Sequence, residues 1–275
     1  MTTTQWSVFA KPWADRTAPQ LAGVVRSMGF DAVELPVRAG CAVTPERVGD
    51  DLLPYGRRLA DQGVRIASVA VDNTAEALTD EVFLACQRSG VPLVRIMPTV
   101  RGPYRDEVVR WQEILVEAAP RAERYGIRIG LQPHCGAFVH TALAMREVLD
   151  AVSETVGLIW DAGHEGLAGE DLRLSLDAVW DRLCMVNLKN AVRSPVEVSD
   201  EFGSRTGFAH VWVDGPDGYA DWAVVLDHLV RRGWRGPITM AAEYSGDEPA
   251  VDQRAAADLR WAQQLWATSV ERVDR

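Results

Sequence analysis

No stretch of this chain approaches the roughly 18 consecutive apolar residues that a membrane-spanning helix needs, so no membrane partner is expected. The opening MTTTQWSVFAKPW lacks a basic segment leading into a long apolar run and does not read as a secretory signal. Cysteine is sparse. Cys41, Cys86, Cys135 and Cys184 lie far apart, with no CxxC pair and no disulfide spacing, which fits a reduced, cytoplasmic setting. Runs of Lys and Arg are missing as well: 29 basic residues stand against 39 acidic ones, for a formal charge of −10. Without a concentrated basic face to neutralise phosphates, a nucleic-acid partner is not expected. No GxGxxG follows the first apolar segment and no glycine-rich phosphate cradle is visible, so no nucleotide cofactor is expected either.

What is present is a large supply of core. The 275 residues are 47% hydrophobic, enough for a sizeable globular interior, and the length suits one α/β barrel. Apolar runs at 6–11, 31–36, 65–71, 92–98, 127–132, 156–161, 184–189 and 237–243 read as strands. Between them lie segments with helical spacing, such as APQLAGVVRSMGF (18–30), which stops at Gly29. Thr44 and Pro45 open a helix over 44–63 that Pro54 is expected to kink or split. Eight strands alternating with eight helices, with no low-complexity linker, predict a single (β/α)8 barrel spanning 1–275. An open doubly wound sheet is the alternative. The residues after strand seven, 191–215, form a polar insert placed to cover a site as a lid.

In such a barrel the active site lies where the strands end. Those ends are polar. GIRIGLQPHCG (126–136) closes on Gln132 and His134, VGLIWDAGH (156–164) on Asp161 and His164, LCMVNLKN (183–190) on Asn187 and Lys189, and ITMAAEYSG (238–246) on Glu243. Lys11, Glu34 and Arg38 end the first two strands. Aromatic residues follow strands at Trp13, Tyr104, Phe138, Trp160, Phe202 and Trp212, and such rings stack on the C–H faces of sugars. Bland readings compete: Asp161 as a helix cap, Asn187 and Lys189 as partners for strand-end backbone, Glu34 as a salt-bridge partner of Lys11 or Arg38.

Several of these segments bring a family into view. GFDAVEL, VGLIWDAGH, NLKN, VDGPDGYADW and AAEYSG, in that order, resemble the sugar phosphate isomerase/epimerase family, the xylose-isomerase-like TIM barrels, over essentially the whole chain. The resemblance implies one divalent metal, commonly Mn²⁺, held by Glu, Asp, His and Glu from strands five to eight, with the outer two glutamates moving a proton beside a carbonyl. Asp161 and Glu243 match that set. Gln132 and Asn187 stand where the family has Glu and His, which marks a specialised branch.

A Gln cannot serve as a general base, so a symmetric two-glutamate mechanism is in doubt, and His134 or Glu34 is the nearest group to oppose Glu243. The four oxygen donors Gln132, Asp161, Asn187 and Glu243 suit Mn²⁺ or Mg²⁺ rather than Zn²⁺. The expectation is a carbohydrate isomerase or epimerase working through an enediol(ate). Glu243 is the base; His134, His164 and Lys189 share the catalytic work; Lys11, Trp13, Glu34, Arg38 and Trp212 bind substrate. Burial at the end of an apolar strand is expected to raise the Glu243 pKa, and Lys189 or a metal to lower it. A lyase using the same proton abstraction, and a sugar-binding barrel without turnover, are the alternatives. A homo-oligomer is allowed.

Overall fold

The computed structural model describes residues 4–99, 101–136, 139–246 and 250–273. Its strands are β1 (Trp6–Phe9), β2 (Ala32–Pro36), β3 (Arg65–Ala70), β4 (Leu93–Ile96), β5 (Arg128–Leu131), β6 (Val156–Asp161), β7 (Leu183–Leu188), β8 (Asn190–Asp200), β9 (Gly203–Val213) and β10 (Ile238–Met240). Eight of them, all but β8 and β9, pair in parallel and close into a barrel in which β1 lies between β2 and β10. The closed parallel barrel expected from the sequence is the fold observed. Among the described residues no helix is long and apolar enough to cross a membrane.

Side chains alternate across a strand, so one set of each strand faces the helices and the other faces the barrel axis. The outward set is apolar: Val8, Val33, Val69, Val94, Ile129, Leu158, Trp160 and Val186 join one continuous core with the helices. On the inward set the side chains become more polar towards the strand ends. Leu93, Ile159 and Met185 pack together, Ser7 and Thr239 share a 2.7 Å hydrogen bond, and Glu34, Ser68, Arg95 and Gln132 follow.

The helices are α1 (Ala18–Met28), α2 (Val48–Ala60), α3 (Asp80–Ser89), α4 (Tyr104–Arg124), α5 (Ala142–Leu149), α6 (Ala162–Ala168), α7 (Leu172–Ala178), α8 (Trp222–Arg231) and α9 (Val251–Val273). Three local features sharpen the expectations. Pro54 does not split α2, whose amphipathic face, with Val48, Leu52 and Leu59 fully covered, holds it against the barrel. Strand β6 ends at Asp161, as its expected bounds of 156–161 have it, and the Asp161 carboxylate caps α6. The polar insert is an antiparallel hairpin, β8–β9, whose register runs from Asn190↔Val213 to Asp200↔Gly203. Its base is tied down by buried Asn190, which donates to Gly215 O and Ala220 O and accepts from Ala191 N and Ala220 N. A Cβ at Gly218 would fall 2.1 Å from Asn190 Oδ1, so only glycine lets the chain pass there.

Among the buried carboxyls outside this polar layer is one on α6. Glu165 on α6 is fully buried; burial drives its pKa up to about 8 against the bond that it accepts from Ala142 N at 2.6 Å. A pKa raised in the folded state adds stability below the ordinary value of 4.5, and that stability is lost as pH rises through 8. Glu165→Gln is therefore expected to stabilise the protein by roughly 2–4 kcal/mol above pH 8, with the gain shrinking towards acid. Thermal melts of both proteins across pH check this; equal melting temperatures at high pH would contradict it.

Candidate active site

The polar strand ends converge on a cavity of about 70 Å³ lined by Phe9, Lys11, Arg38, Arg95, Met97, Gln132, His134, Asn187, Lys189, Ala241 and Glu243. Within each strand these residues fall two apart, as the inward set must. Glu243 is the hub. Lys11 Nζ lies 2.7 Å from its Oε1 and Lys189 Nζ 2.9 Å from its Oε2. The chain contains only these two lysines, and both end on this carboxylate. Burial on its own raises the Glu243 pKa, but Lys189 and Lys11 together outweigh it and bring the value down to about 2. Ala242, just before it, has φ 50°, a left-handed backbone that costs a non-glycine residue free energy and turns the chain as it leaves β10.

A second network lies beneath. Arg95, buried, donates through Nη1 to Gln132 Oε1, and Gln132 Nε2 donates to Asp161 Oδ2 at 2.7 Å. The other Asp161 oxygen accepts from His164 N at 3.2 Å. Arg95 Nε lies 2.8 Å from Glu34 Oε1, Ser68 donates to the same oxygen, and the Arg95 guanidinium covers the Phe9 ring at 4.5 Å. Glu34 is fully buried, and desolvation raises its pKa against the pull of Arg95. Glu34 pairs with Arg95 and is not among the residues that line the cavity. It is a salt-bridge partner, of Arg95 rather than of Lys11 or Arg38.

His134 does face the cavity. Its Nδ1 meets Cys135 O at 2.7 Å, so Nδ1 carries the hydrogen and Nε2 keeps its lone pair. Burial and the neighbouring Lys189 charge lower its pKa, so the ring is neutral at working pH. His164 lies behind it, ring centroids 4.0 Å apart, fully buried, with Nδ1 accepting from Cys135 N at 3.1 Å. Burial first and Lys189 second hold its pKa well below the ordinary range. His164 packs against His134 and is not among the residues that line the cavity. Trp212, delivered by β9, lies under Lys189 with Nζ 3.8 Å from the ring centroid and meets His164 edge-on. Trp212 thus orients Lys189.

Trp13 is buried in the helix-to-barrel core, Trp160 donates its indole N–H to Ser175, and Phe202 is exposed at the hairpin tip. None of the three is among the residues that line the cavity. Tyr104, exposed, bonds Glu147 on α5. Phe138 lies outside the described residues. Gly163 completes the arrangement: a Cβ there would lie 2.7 Å from Lys189 Cγ, so α6 can lie against the Lys189 stem only without one.

The four oxygen donors expected to hold Mn²⁺ or Mg²⁺ do not form an open set. Gln132 uses both ends of its amide, Asp161 both oxygens, and Glu243 both oxygens on the lysines. Only Asn187 Oδ1 is buried without a partner. Arg95, Lys11 and Lys189 already supply the positive charge, and a like charge at ~4 Å costs about 4 kcal/mol per unit pair at an effective dielectric of about 20. Among the described residues, no three His, Cys, Asp or Glu side chains are grouped to hold a metal. The residues do not fit the ion. The sequence reading missed Phe9, Arg95, Met97 and Ala241; of these only Arg95 is charged, and its signal is a lone charge inside the apolar strand VPLVRIM, on the inward face.

A family model for the xylose isomerase-like TIM barrel matches residues 23–265. The rhizopine catabolism protein MocC of Rhizobium meliloti is 26% identical over 151 residues, covering 53% of this chain and 45% of that protein. Inosose dehydratase of Lactiplantibacillus plantarum is 25% identical over 252 residues, 83% of this chain and 82% of that one. Among solved structures, L-ribulose 3-epimerase superposes with a TM-score of 0.76 at 14% identity, covering 99% of this chain and 97% of the other. A xylose isomerase-like TIM barrel protein from Mycobacterium smegmatis, in complex with magnesium, gives 0.69 at 15% identity and 98% of both chains.

Proposed function

The chain belongs to the xylose isomerase-like TIM barrel family, and on that premise we propose that it isomerises a carbohydrate-like polyhydroxy carbonyl compound through an enediolate. One observation carries the reading: an ionised carboxylate, Glu243, and a neutral imidazole, His134, face one small cavity together with both lysines of the chain.

The steps follow from the partners. The substrate carbonyl oxygen takes hydrogen bonds from Lys189 and Lys11. As the C–H proton leaves, its electron pair becomes the C=C bond and the carbonyl oxygen becomes an oxyanion held by those ammonium groups. Glu243 loses lysine hydrogen bonds as the oxyanion gains them, so its basicity rises from the free-enzyme pKa of about 2 as it accepts the proton. His134 Nε2 takes the hydroxyl proton of the adjacent carbon and passes it to the oxyanion. Glu243 then returns its proton, on the same face, to the former carbonyl carbon, and the oxygen that gave its proton to His134 becomes the new carbonyl. Inversion at one carbon would need a protonated acid on the opposite face, and a neutral His134 is not one. The protonation states therefore favour isomerisation over epimerisation.

A lyase is the second reading, supported by the likeness to inosose dehydratase along most of both chains. There the same enediolate expels a β-hydroxyl, protonated by a lysine ammonium. L-Ribulose, the related aldopentoses and an inosose, each followed by NMR, separate the readings: isomerisation conserves mass, and dehydration loses one water. A binding barrel without turnover would do neither.

No step runs through a divalent ion, because the donors that would hold one are already engaged. Extended treatment with a strong chelator followed by gel filtration is expected to leave activity within about twofold of the untreated protein, with no stoichiometric Mn²⁺ binding by paramagnetic resonance. Loss of activity restored by Mn²⁺ or Mg²⁺ would contradict this.

A further inference from the structure

Four cationic side chains, Lys11, Arg38, Arg95 and Lys189, share the cavity lining with one carboxylate, Glu243. The carboxylates that offset this charge, Glu34 on Arg95, Asp161 beneath Gln132 and Asp72 near Arg38, all lie outside the lining, so the excess belongs to the cavity wall itself. Both lysines are paired with Glu243, whereas Arg95 has its carboxylate partner, Glu34, behind the lining, and Arg38 makes no ion pair among the described residues. Arg38 directs Nε and Nη2 at a neutral group, Val71 O, at 3.3 and 3.2 Å. Arg95 places Nη1 on the Gln132 amide and leaves Nη2 buried with no hydrogen-bond partner. A buried guanidinium donor without an acceptor is costly and marks a place that a ligand oxygen completes.

We propose that the substrate is an acid, a polyhydroxy carbonyl compound bearing a carboxylate that lies between Arg38 and Arg95 while its carbonyl lies at the lysines. The inference rests on the isomerase reading and deepens it. Burial and the like charge of Arg95 lower the Arg38 pKa against the opposing pull of Asp72 and Glu34. A planar carboxylate offers two oxygens to two arginine forks, and charge-assisted bonds of this kind are about twice as strong as neutral ones. The cavity is small, about 70 Å³. No glycine-rich turn supplies the backbone N–H cradle that a phosphate uses, so the observations favour the carboxylate.

The test is binding without turnover. Calorimetric titrations at constant low ionic strength compare L-threonate, D-ribonate and D-gluconate with their uncharged alditols threitol, ribitol and glucitol, and with inorganic phosphate and D-glucitol 6-phosphate. At least one aldonate is expected to bind ~10-fold or more tighter than its alditol, with Arg38→Met bringing the ratio to within about threefold and leaving the alditol unchanged. No aldonate tighter than its alditol, or a ratio indifferent to Arg38→Met, overturns the proposal. Tighter binding of the phosphate probes than of every aldonate overturns the choice of carboxylate. Failure here is separable from failure of the isomerase reading. Solvent deuterium entering uncharged ketoses with no aldonate preference removes the acid alone; aldonate binding with no exchange into any ketose or keto acid removes the isomerase alone.

Discussion

Glu243→Gln is expected to lower turnover by roughly 10²–10⁴-fold, the usual contribution of one general base, with much smaller effect on substrate affinity. An amide has the shape of the carboxylate and still accepts from one lysine, but it has no basic lone pair for a carbon-bound proton. The loss should appear equally in product formation and in solvent exchange at the substrate carbon, because both need the same C–H cleavage. Free Glu243 is a weak base, with its pKa held near 2 by two lysines, and the enzyme depends on the substrate oxygen drawing those lysines away. If Glu243→Gln exchanges the substrate proton as fast as wild type, the base is elsewhere and His134 is the next group to test.

His134→Asn is expected to separate two events that Glu243→Gln removes together. Glu243 remains able to take the carbon proton, so exchange at that carbon continues. The enediolate, lacking the Nε2 shuttle between its two oxygens, collapses back to substrate, and net isomerisation falls by roughly 10²–10³-fold. The pH profile gives an independent check. A neutral His134 is the working form and its pKa is lowered by burial and by Lys189, so the acid limb of kcat/KM lies below 6.5. That limb should disappear in His134→Asn. Equal loss of exchange and turnover would instead make His134 part of C–H cleavage.

Strand periodicity and helix signals were strong enough in the sequence to yield the barrel, and the barrel alone placed Gln132, His134, Asn187, Lys189 and Glu243 at one mouth. What the sequence hid was who pairs with whom. Lys11 and Glu243 are 232 positions apart, and nothing local shows that they meet. Competition between burial and cation at Glu243 could be posed from sequence but not decided, because the outcome depends on two lysine contacts under 3 Å. Arg95 was legible in principle, since an arginine between Val94 and Ile96 must either disturb the strand or face the barrel axis. His164 and Asp161 share the α6 terminus, so the helix cap and the hydrogen bond to Gln132 are one arrangement. The hairpin escaped because Pro195 and charged residues interrupt its alternation, and its pairing depends on the Asn190 anchor across the chain.

The most direct test of the account is proton NMR of the substrate carbon in D₂O, with wild-type protein freed of divalent ions by chelation. The account predicts solvent deuterium entering substrate and product at the carbon beside the carbonyl, at a rate unchanged by added Mn²⁺ or Mg²⁺. Product formed with complete retention of the original hydrogen would signify a hydride shift, and exchange seen only with added metal would signify a metal-held enediolate. Either result would contradict proton transfer by Glu243 in a site whose positive charge is supplied by Lys11, Lys189 and Arg95.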